Sequence, residues 1–263
     1  MAVIASPLLA TSGDNQPATA TKSILAIDIG GTKVKFLASG QTEPRKAPSG
    51  PKLTPKRLVE MAQSLTEGWD YEAISIGYPG LVGDGGPRSE PGNLGPGWVG
   101  YDFAAAFDRP VCMINDAAMQ ALGSYEGGRM LFLGLGTGLG STLIVDKVII
   151  SLELGDLSIA GSPYLGEILS RRGLEKLGKA RWRQHVHDTV ATLAKSFVVD
   201  YVVIGGGNAS KVGKHLPPAS RLGHNLTAFR GGYRLWKMED VLTLETADAV
   251  RQVPLTPQEW RML

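Results

Sequence analysis

A duplicated α/β architecture is what this sequence predicts, and three glycine turns at the ends of apolar strands predict it. Ile24-Leu-Ala-Ile-Asp-Ile-Gly-Gly-Thr-Lys-Val-Lys-Phe-Leu37 sets an acidic residue and a glycine pair between two apolar runs. Met130-Leu-Phe-Leu-Gly-Leu-Gly-Thr-Gly-Leu-Gly-Ser-Thr-Leu-Ile-Val-Asp146 repeats the design with a Gly-Thr-Gly turn. Val202-Val-Ile-Gly-Gly-Gly207 ends a third apolar strand. One such turn reads equally well as an ordinary hairpin. Two matching hairpins and a later triple glycine point to paired loops for one phosphate chain.

The first turn carries the chemistry that a phosphate needs. Adjacent glycines let backbone N–H groups converge on an anion. Gly30 and Gly31 supply that backbone, Thr32 adds a hydroxyl and Lys33 a positive charge, while Asp28 stands where a cation or its water would meet the phosphate. In the second turn Gly136, Thr137 and Gly138 take the corresponding places, and Gly206 lies in the third.

Composition fits a globular enzyme. The 263 residues can bury a substantial core, and 43% hydrophobic with 20% charged residues are ordinary values. A net charge of +2 gives no bulk electrostatics for nucleic acid. The 34 glycines gather at turns rather than in repeats. Cys112, the one cysteine, has no partner for an internal disulfide and is expected to be a small buried core residue in a reducing, cytoplasmic setting. No run is long and apolar enough to span a membrane. Residues 1–22, rich in Ala, Ser, Thr and Pro without periodicity, are expected to form a disordered tail.

Further along, Thr54 to Gly68 opens on Thr-Pro and carries Leu58, Met61, Ala62 and Leu65 at helical spacing. Ala73 to Gly80 reads as a strand and turn. Val82 to Tyr101, crowded with Gly and Pro, reads as a long loop, of a kind more often functional than neutral. Asn93, Trp98 and Asp102 suit hydrogen bonding to and stacking on a sugar, although Trp98 could equally be the loop's packing anchor. Val111-Cys-Met-Ile-Asn-Asp116 is a strand delivering Asn115 and Asp116 to its carboxyl end, where ligands of open α/β sheets collect. A helix from Ala117 to Tyr125 follows, and Asp116 is also a good residue to cap it.

These motifs, in this order, resemble those of the ROK family of sugar kinases. The resemblance runs from about Ile24 to Gly207 and includes Asp28-Ile-Gly-Gly-Thr-Lys33, Gly77-Tyr-Pro-Gly80, Asn93 with Trp98, and Asn115-Asp116. It continues through Leu135-Gly-Thr-Gly-Leu-Gly140, Glu153-Leu-Gly155 and Ile204-Gly-Gly-Gly207, and the branch containing polyphosphate glucokinases is the most similar. It implies an actin-like, ribonuclease H-like ATPase fold with two lobes around a cleft, residues 23–116 and 117–263. By the same resemblance Asp116 is the general base, and Asn93, Asn115, Glu153 and Glu167 hydrogen-bond the sugar. Mg²⁺ would bridge the donor oxygens, with Asp28 near it through water. ATP or inorganic polyphosphate would be the donor and a hexose the acceptor, in a homodimer.

Two features depart from the family pattern. Asp156 stands where relatives have a histidine, and a carboxylate beside Glu153 cannot donate when ionised and repels its neighbour. The family's cysteine-rich zinc motif is absent, as in the polyphosphate branch, so no zinc is expected. His185, His187, His215 and His224 form no ligand set and are expected at surface or capping positions.

Past Gly207 the resemblance fades. Gly231-Gly232 is expected as a turn, and Met238 to Glu245 stands where relatives have a closing helix. That region leaves room for polyphosphate, for which Lys33, Lys35, Arg129, Lys211 and Lys214 could line a path. The expected activity is phosphoryl transfer to a hexose hydroxyl, glucose 6-OH first. A sugar-binding relative without turnover is the alternative. A DNA-binding repressor is disfavoured, because about 22 residues before the first strand are too few for a helix-turn-helix domain.

Overall fold

The computed structural model describes residues 23–83, 85–158, 162–224, 226–236 and a short strand at 261–262. The expected tail at 1–22 and the segment Met238 to Glu245 lie outside the described residues.

Two sheets organise the chain. The first contains β1 (Ile24–Ile29), β2 (Lys33–Ala38), β3 (Arg45–Pro48), β4 (Ala73–Tyr78) and β7 (Val111–Asn115), in the order β3-β2-β1-β4-β7. Between its last two strands come a two-stranded hairpin, β5 (Val82–Gly83) and β6 (Gly86–Pro87), and the short helix α2 (Phe103–Phe107). The second sheet contains β8 (Arg129–Leu135), β9 (Leu139–Val145), β10 (Val148–Leu152), β11 (Tyr201–Gly205), β12 (Ser220–Leu222) and β13 (Arg261–Met262). Its order is β12-β11-β8-β9-β10-β13. In each sheet the first hairpin is antiparallel, a third strand extends it, and the fourth and fifth strands add in parallel on the other side. The strand order is therefore repeated, which is the duplication that the glycine hairpins predict.

Strand β1 shows why the pattern works. It is central, and all six of its residues are buried. Side chains alternate across a sheet, so Leu25, Ile27 and Ile29 enter one core with Leu58, Tyr78 and Trp98. Ile24 and Ala26 face the other way, against Phe229 and Tyr233. Asp28 shares that second face by parity.

Helix α1 (Pro55–Leu65) follows its sequence signals: Thr54 caps it, Pro55 opens it, and Leu58, Val59 and Ala62 are buried. Helix α3 (Asp116–Ser124) lies between the sheets. Here the cap differs from expectation. Asn115 Oδ1 accepts from the Ala117 and Ala118 amides at 2.9 and 3.1 Å, so Asn115 is the N-cap and Asp116 the first helical residue. Asp116 adds only a bond to the neighbouring Ala117 amide.

The second sheet carries α4 (Leu165–Leu169) and α5 (Arg171–Ser196), the latter interrupted at Gly178 with φ of 73°. Trp182, Val186, Val190 and Leu193 of α5 are buried against Val202 and Ile204 of β11.

Helix α6 (Thr227–Arg234) corrects a second expectation, because Gly231 and Gly232 lie inside it rather than in a turn. Their lack of side chains serves packing. A Cβ at Gly231 would collide with the Met119 carbonyl of α3, and one at Gly232 would sit 2.8 Å from the Ala26 methyl of β1. Arg234, itself buried, closes this crossing by donating to the Leu122 and Tyr125 carbonyls at the end of α3.

Cys112 is only half-buried, not a core residue, because β7 is the outer strand of its sheet. Among the described residues no helix is long and apolar enough to cross a membrane.

Candidate active site

A cavity of about 940 Å³ lies where the two sheets face each other, and the carboxyl ends of their strands open into it. The first hairpin turn contributes Gly30, Gly31, Thr32 and Lys33, and the second contributes Gly136, Thr137 and Gly138. The two turns nearly touch, since a Cβ on Gly31 would lie 2.9 Å from Thr137 Oγ1 and 3.3 Å from Asn93 Nδ2. Gly206 completes the wall. Its φ is +82°, and a Cβ there would lie 2.6 Å from the Leu135 carbonyl oxygen, so the position has room for glycine alone.

Asp116 reaches the cavity because α3 starts unusually close to both sheets. A Cβ at Gly77 of β4 would lie 2.6 Å from Met119 Cε and 3.4 Å from Asp116 Cα. On the opposite side, a Cβ at Gly140 of β9 would lie 2.8 Å from the Ala117 methyl. Glycine in each sheet thus seats the helix start between them. Burial pushes the Asp116 carboxyl up to about 7, with the Asp28 charge raising it further and the Ala117 amide bond pulling down. A carboxyl near neutrality, at a cavity wall, is suited to take a proton from a hydroxyl.

Asp28 is buried with its two oxygens in different states. Oδ2 accepts a 2.8 Å ion pair from Lys35, its cross-strand neighbour in the first hairpin. Oδ1 is buried and has no hydrogen-bond partner among the described residues. An unpartnered carboxylate oxygen beside a glycine turn fits the water shell of a divalent cation. Among the described residues no group of three or more His, Cys, Asp or Glu side chains is arranged to bind a metal directly. Any such ion would rest on Asp28 and on the ligand's own oxygens.

The opposite wall is acidic. Glu153, Asp156 and Glu167 all line the cavity. Ser141, buried in β9, holds this wall in place: its hydroxyl donates to the Leu152 carbonyl and accepts from the Leu154 amide at 2.8 and 3.0 Å. Gly155 and Gly166 pack backbone to backbone, which brings α4 and Glu167 in. Burial, and then the Asp156 charge, raise the Glu153 carboxyl above the usual range.

Asn93 and Asn115 both line the cavity, with different freedom. Asn115 Oδ1 caps α3, and its Nδ2 donates to the Gly80 carbonyl at 3.2 Å. That leaves it one N–H for a ligand. Asn93 is held through its loop. The Glu90 carboxylate accepts from the Gly97, Trp98 and Val99 amides at 3.0, 3.1 and 3.2 Å and gathers the chain on that side of the cavity. Trp98 itself is fully buried, tilted against Tyr78 and Phe103 with centroids 5.2 and 6.0 Å away, so it is the loop's anchor and no sugar platform. Asp102 caps α2 through the Ala105 amide.

Of the basic residues that could have lined an anion path, Lys33 and Lys35 do so. Arg129 does not. It sits at the start of β8, far from the strand's carboxyl end, paired with Asp200 at 2.7 Å. Lys211 and Lys214 are likewise absent from the lining, whereas Arg171, which no sequence motif marks, is part of it. His224 also lines the cavity, its Nδ1 accepting from the Leu226 amide. Arg171 sits in a run with no local signal, and Ser141 and Glu90, though inside runs the sequence marks, are not themselves singled out by any motif. A charged or hydroxyl residue is noticed there only once the fold brings it to the site.

No family model matches the chain, and no curated protein matches it. Solved structures do match. An inorganic polyphosphate/ATP-glucomannokinase from Arthrobacter sp. strain KM superposes with a TM-score of 0.67 at 23% identity, covering 81% of this chain and 97% of that one. A ROK family glucokinase from Streptomyces griseus, in complex with glucose and AMPPNP, gives 0.64 at 18% identity, with 81% and 98% covered. A ROK family transcriptional regulator gives 0.59 at 15% identity, with 81% and 77% covered. At these identities the likeness is one of fold. The fold is the actin-like one of ROK sugar kinases.

Proposed function

We propose that the chain is a sugar kinase of the ROK type, moving the terminal phosphoryl group of polyphosphate or ATP to a hexose hydroxyl, with glucose 6-OH the first candidate. The observation that carries it is a single cavity in which a carboxyl raised to about 7 faces two glycine turns. A base and an anion cradle in one cleft are what phosphoryl transfer to a hydroxyl requires.

In this reading the hexose lies between Asn93, the remaining N–H of Asn115, and the Glu153 wall. Asp116 accepts the proton as the hydroxyl oxygen attacks the terminal phosphorus. The bond from that phosphorus to the bridging oxygen breaks, leaving a shortened polyphosphate or a nucleoside diphosphate. The turns at Gly30–Lys33 and Gly136–Gly138 align the donor, and Lys33 and Lys35 offset its charge. Mg²⁺, when bound, supplies further charge neutralisation, with Asp28 Oδ1 holding one of its waters. Closure of the cleft excludes competing water.

A sugar-binding protein without turnover is the second reading, and the Glu153–Asp156 repulsion favours it. Phosphorylation assays over a hexose panel, with ATP and polyphosphate in parallel and Mg²⁺ present, separate the two. Turnover with any pair supports the kinase and names its donor. Hexose binding without turnover supports the alternative.

A further inference from the structure

Two hydroxyl- or amide-bearing side chains outside the predicted site each hold a carbonyl in the glycine turns. Ser49 follows β3, and its Oγ donates to the Gly30 carbonyl at 2.6 Å while its backbone amide donates to the Thr32 carbonyl at 3.1 Å. Asn208 follows the third glycine turn and is buried. Its Nδ2 donates to the Gly136 carbonyl at 3.3 Å, and its backbone amide donates to Leu135 at 2.9 Å. The Gly136 carbonyl also accepts from the Arg171 amide at 2.9 Å.

Peptide planarity converts these contacts into a statement about ligands. In a trans peptide the C=O of one residue and the N–H of the next point in opposite directions. Drawing the Gly30 oxygen toward Ser49 turns the Gly31 N–H away from it, and drawing the Gly136 oxygen toward Asn208 and Arg171 does the same for Thr137. Gly31 and Thr137 line the cavity and approach each other across it. Neither amide has a protein acceptor among the described residues. Unpaired N–H groups facing a shared cavity are ready donors to an anion.

We propose that Ser49 and Asn208 are positioning residues that aim the Gly31 and Thr137 amides at the phosphoryl donor, one for each hairpin. The inference rests on the kinase reading for the identity of the anion, but its geometry does not depend on turnover. Without Ser49 the Gly30–Gly31 peptide is free to flip, and the turn presents a carbonyl to the donor as readily as an amide. Asn208 restrains the second turn jointly with Arg171, so its removal has the smaller effect.

The test uses the full chain and inorganic tripolyphosphate as probe, with amide NMR shifts of Gly31 and Thr137, calorimetric affinity, and donor KM against kcat. In the native chain both amides shift on adding tripolyphosphate. Ser49→Ala weakens tripolyphosphate about tenfold, as expected for loss of a charge-assisted contact, and raises donor KM, with hexose affinity unchanged. Ser49→Thr, which keeps the hydroxyl, restores both. Asn208→Asp, which keeps the size, loses the donor and adds a negative charge beside the turn, weakens tripolyphosphate about threefold or more and diminishes the Thr137 shift.

Native-like tripolyphosphate binding by Ser49→Ala overturns the proposal, as does an equal loss of hexose and tripolyphosphate affinity. Should Asn208→Asp lose its dispersed spectrum, the Ser49→Ala and Ser49→Thr pair decides alone. Amide shifts without phosphorylation of any hexose would sink the kinase reading and leave the positioning role standing.

Discussion

Gly140 lies so close to Ala117 that a methyl on the glycine would sit 2.8 Å from the alanine's own. The contact joins a strand of the second sheet to the first turn of the helix that starts with Asp116. Gly140→Ala is therefore expected to push the helix start outward. Overpacking of this kind costs about 1–3 kcal/mol of stability, and a displacement near 1 Å at a reacting group costs about 100-fold in turnover. A fall in kcat well beyond the loss in thermal stability would show that this glycine sets the position of Asp116. Unchanged kcat would remove that role.

Asp116 also predicts a pH profile. Its carboxyl is raised to about 7 by burial and by the Asp28 charge, and a general base works only when ionised. kcat/KM should rise tenfold per pH unit below about 7 and level above it. Asp116→Asn should lower turnover by at least about 10³-fold, at the strong end of what a lost base costs.

Stability moves the other way. The folded chain holds this proton more tightly than the unfolded chain, so Asp116 destabilises increasingly as pH rises from about 4 to 7. Asp116→Asn should thus be more stable than the native chain at pH 8 by about 2–4 kcal/mol, taking about 1.4 kcal/mol per unit and allowing for partial exposure. The difference should vanish near pH 3. Equal melting temperatures at both pH values would contradict the raised carboxyl.

Asp156 raises the neighbouring Glu153 carboxyl, whose burial raises it first. Asp156→Asn removes the repulsion and should let Glu153 ionise at lower pH. Hexose affinity is expected to improve about three- to tenfold, most on the acid side, because an ionised carboxylate accepts stronger hydrogen bonds. Calorimetric titrations from pH 5 to 8 would check it. An unaltered affinity at every pH would mean the pair does not weaken sugar binding.

Glu90 holds the Asn93 loop through three amides, and those bonds, the Trp98 amide first, keep its carboxyl below the ordinary range. A depressed carboxylate stabilises above its unfolded pKa, and the contribution is lost as pH falls through the folded value. Glu90→Gln should therefore lower the melting temperature at pH 7 and converge with the native chain in acid. Hexose affinity should fall about threefold with it, through Asn93. A melting deficit that persists into strongly acidic solution would point to packing rather than charge.

Chain order alone determined a good deal of this protein. Two apolar runs broken by Gly-Gly-Thr and Gly-Thr-Gly can hardly pair except as tight antiparallel hairpins, so the repeated sheet and its glycine turns were legible from local bonding. Strand parity likewise put Asp28 on the face opposite Leu25, Ile27 and Ile29, and a strand ending in Asn115-Asp116 had to deliver both at its carboxyl end. Only the tertiary structure decided matters that depend on contacts distant in sequence. Trp98 became core because Tyr78 and Phe103 surround it. Gly231 and Gly232 became helix, since α6 must pass close to α3 and β1, and that proximity is invisible in a glycine pair. Arg129 fell to the wrong end of its strand, while Arg171 and Ser49 arrived at the turns from elements with no phosphate-like signature. Backbone hydrogen bonds within a hairpin are set by neighbours a few residues apart, but the aim of an amide is set by whatever side chain the fold brings to its carbonyl.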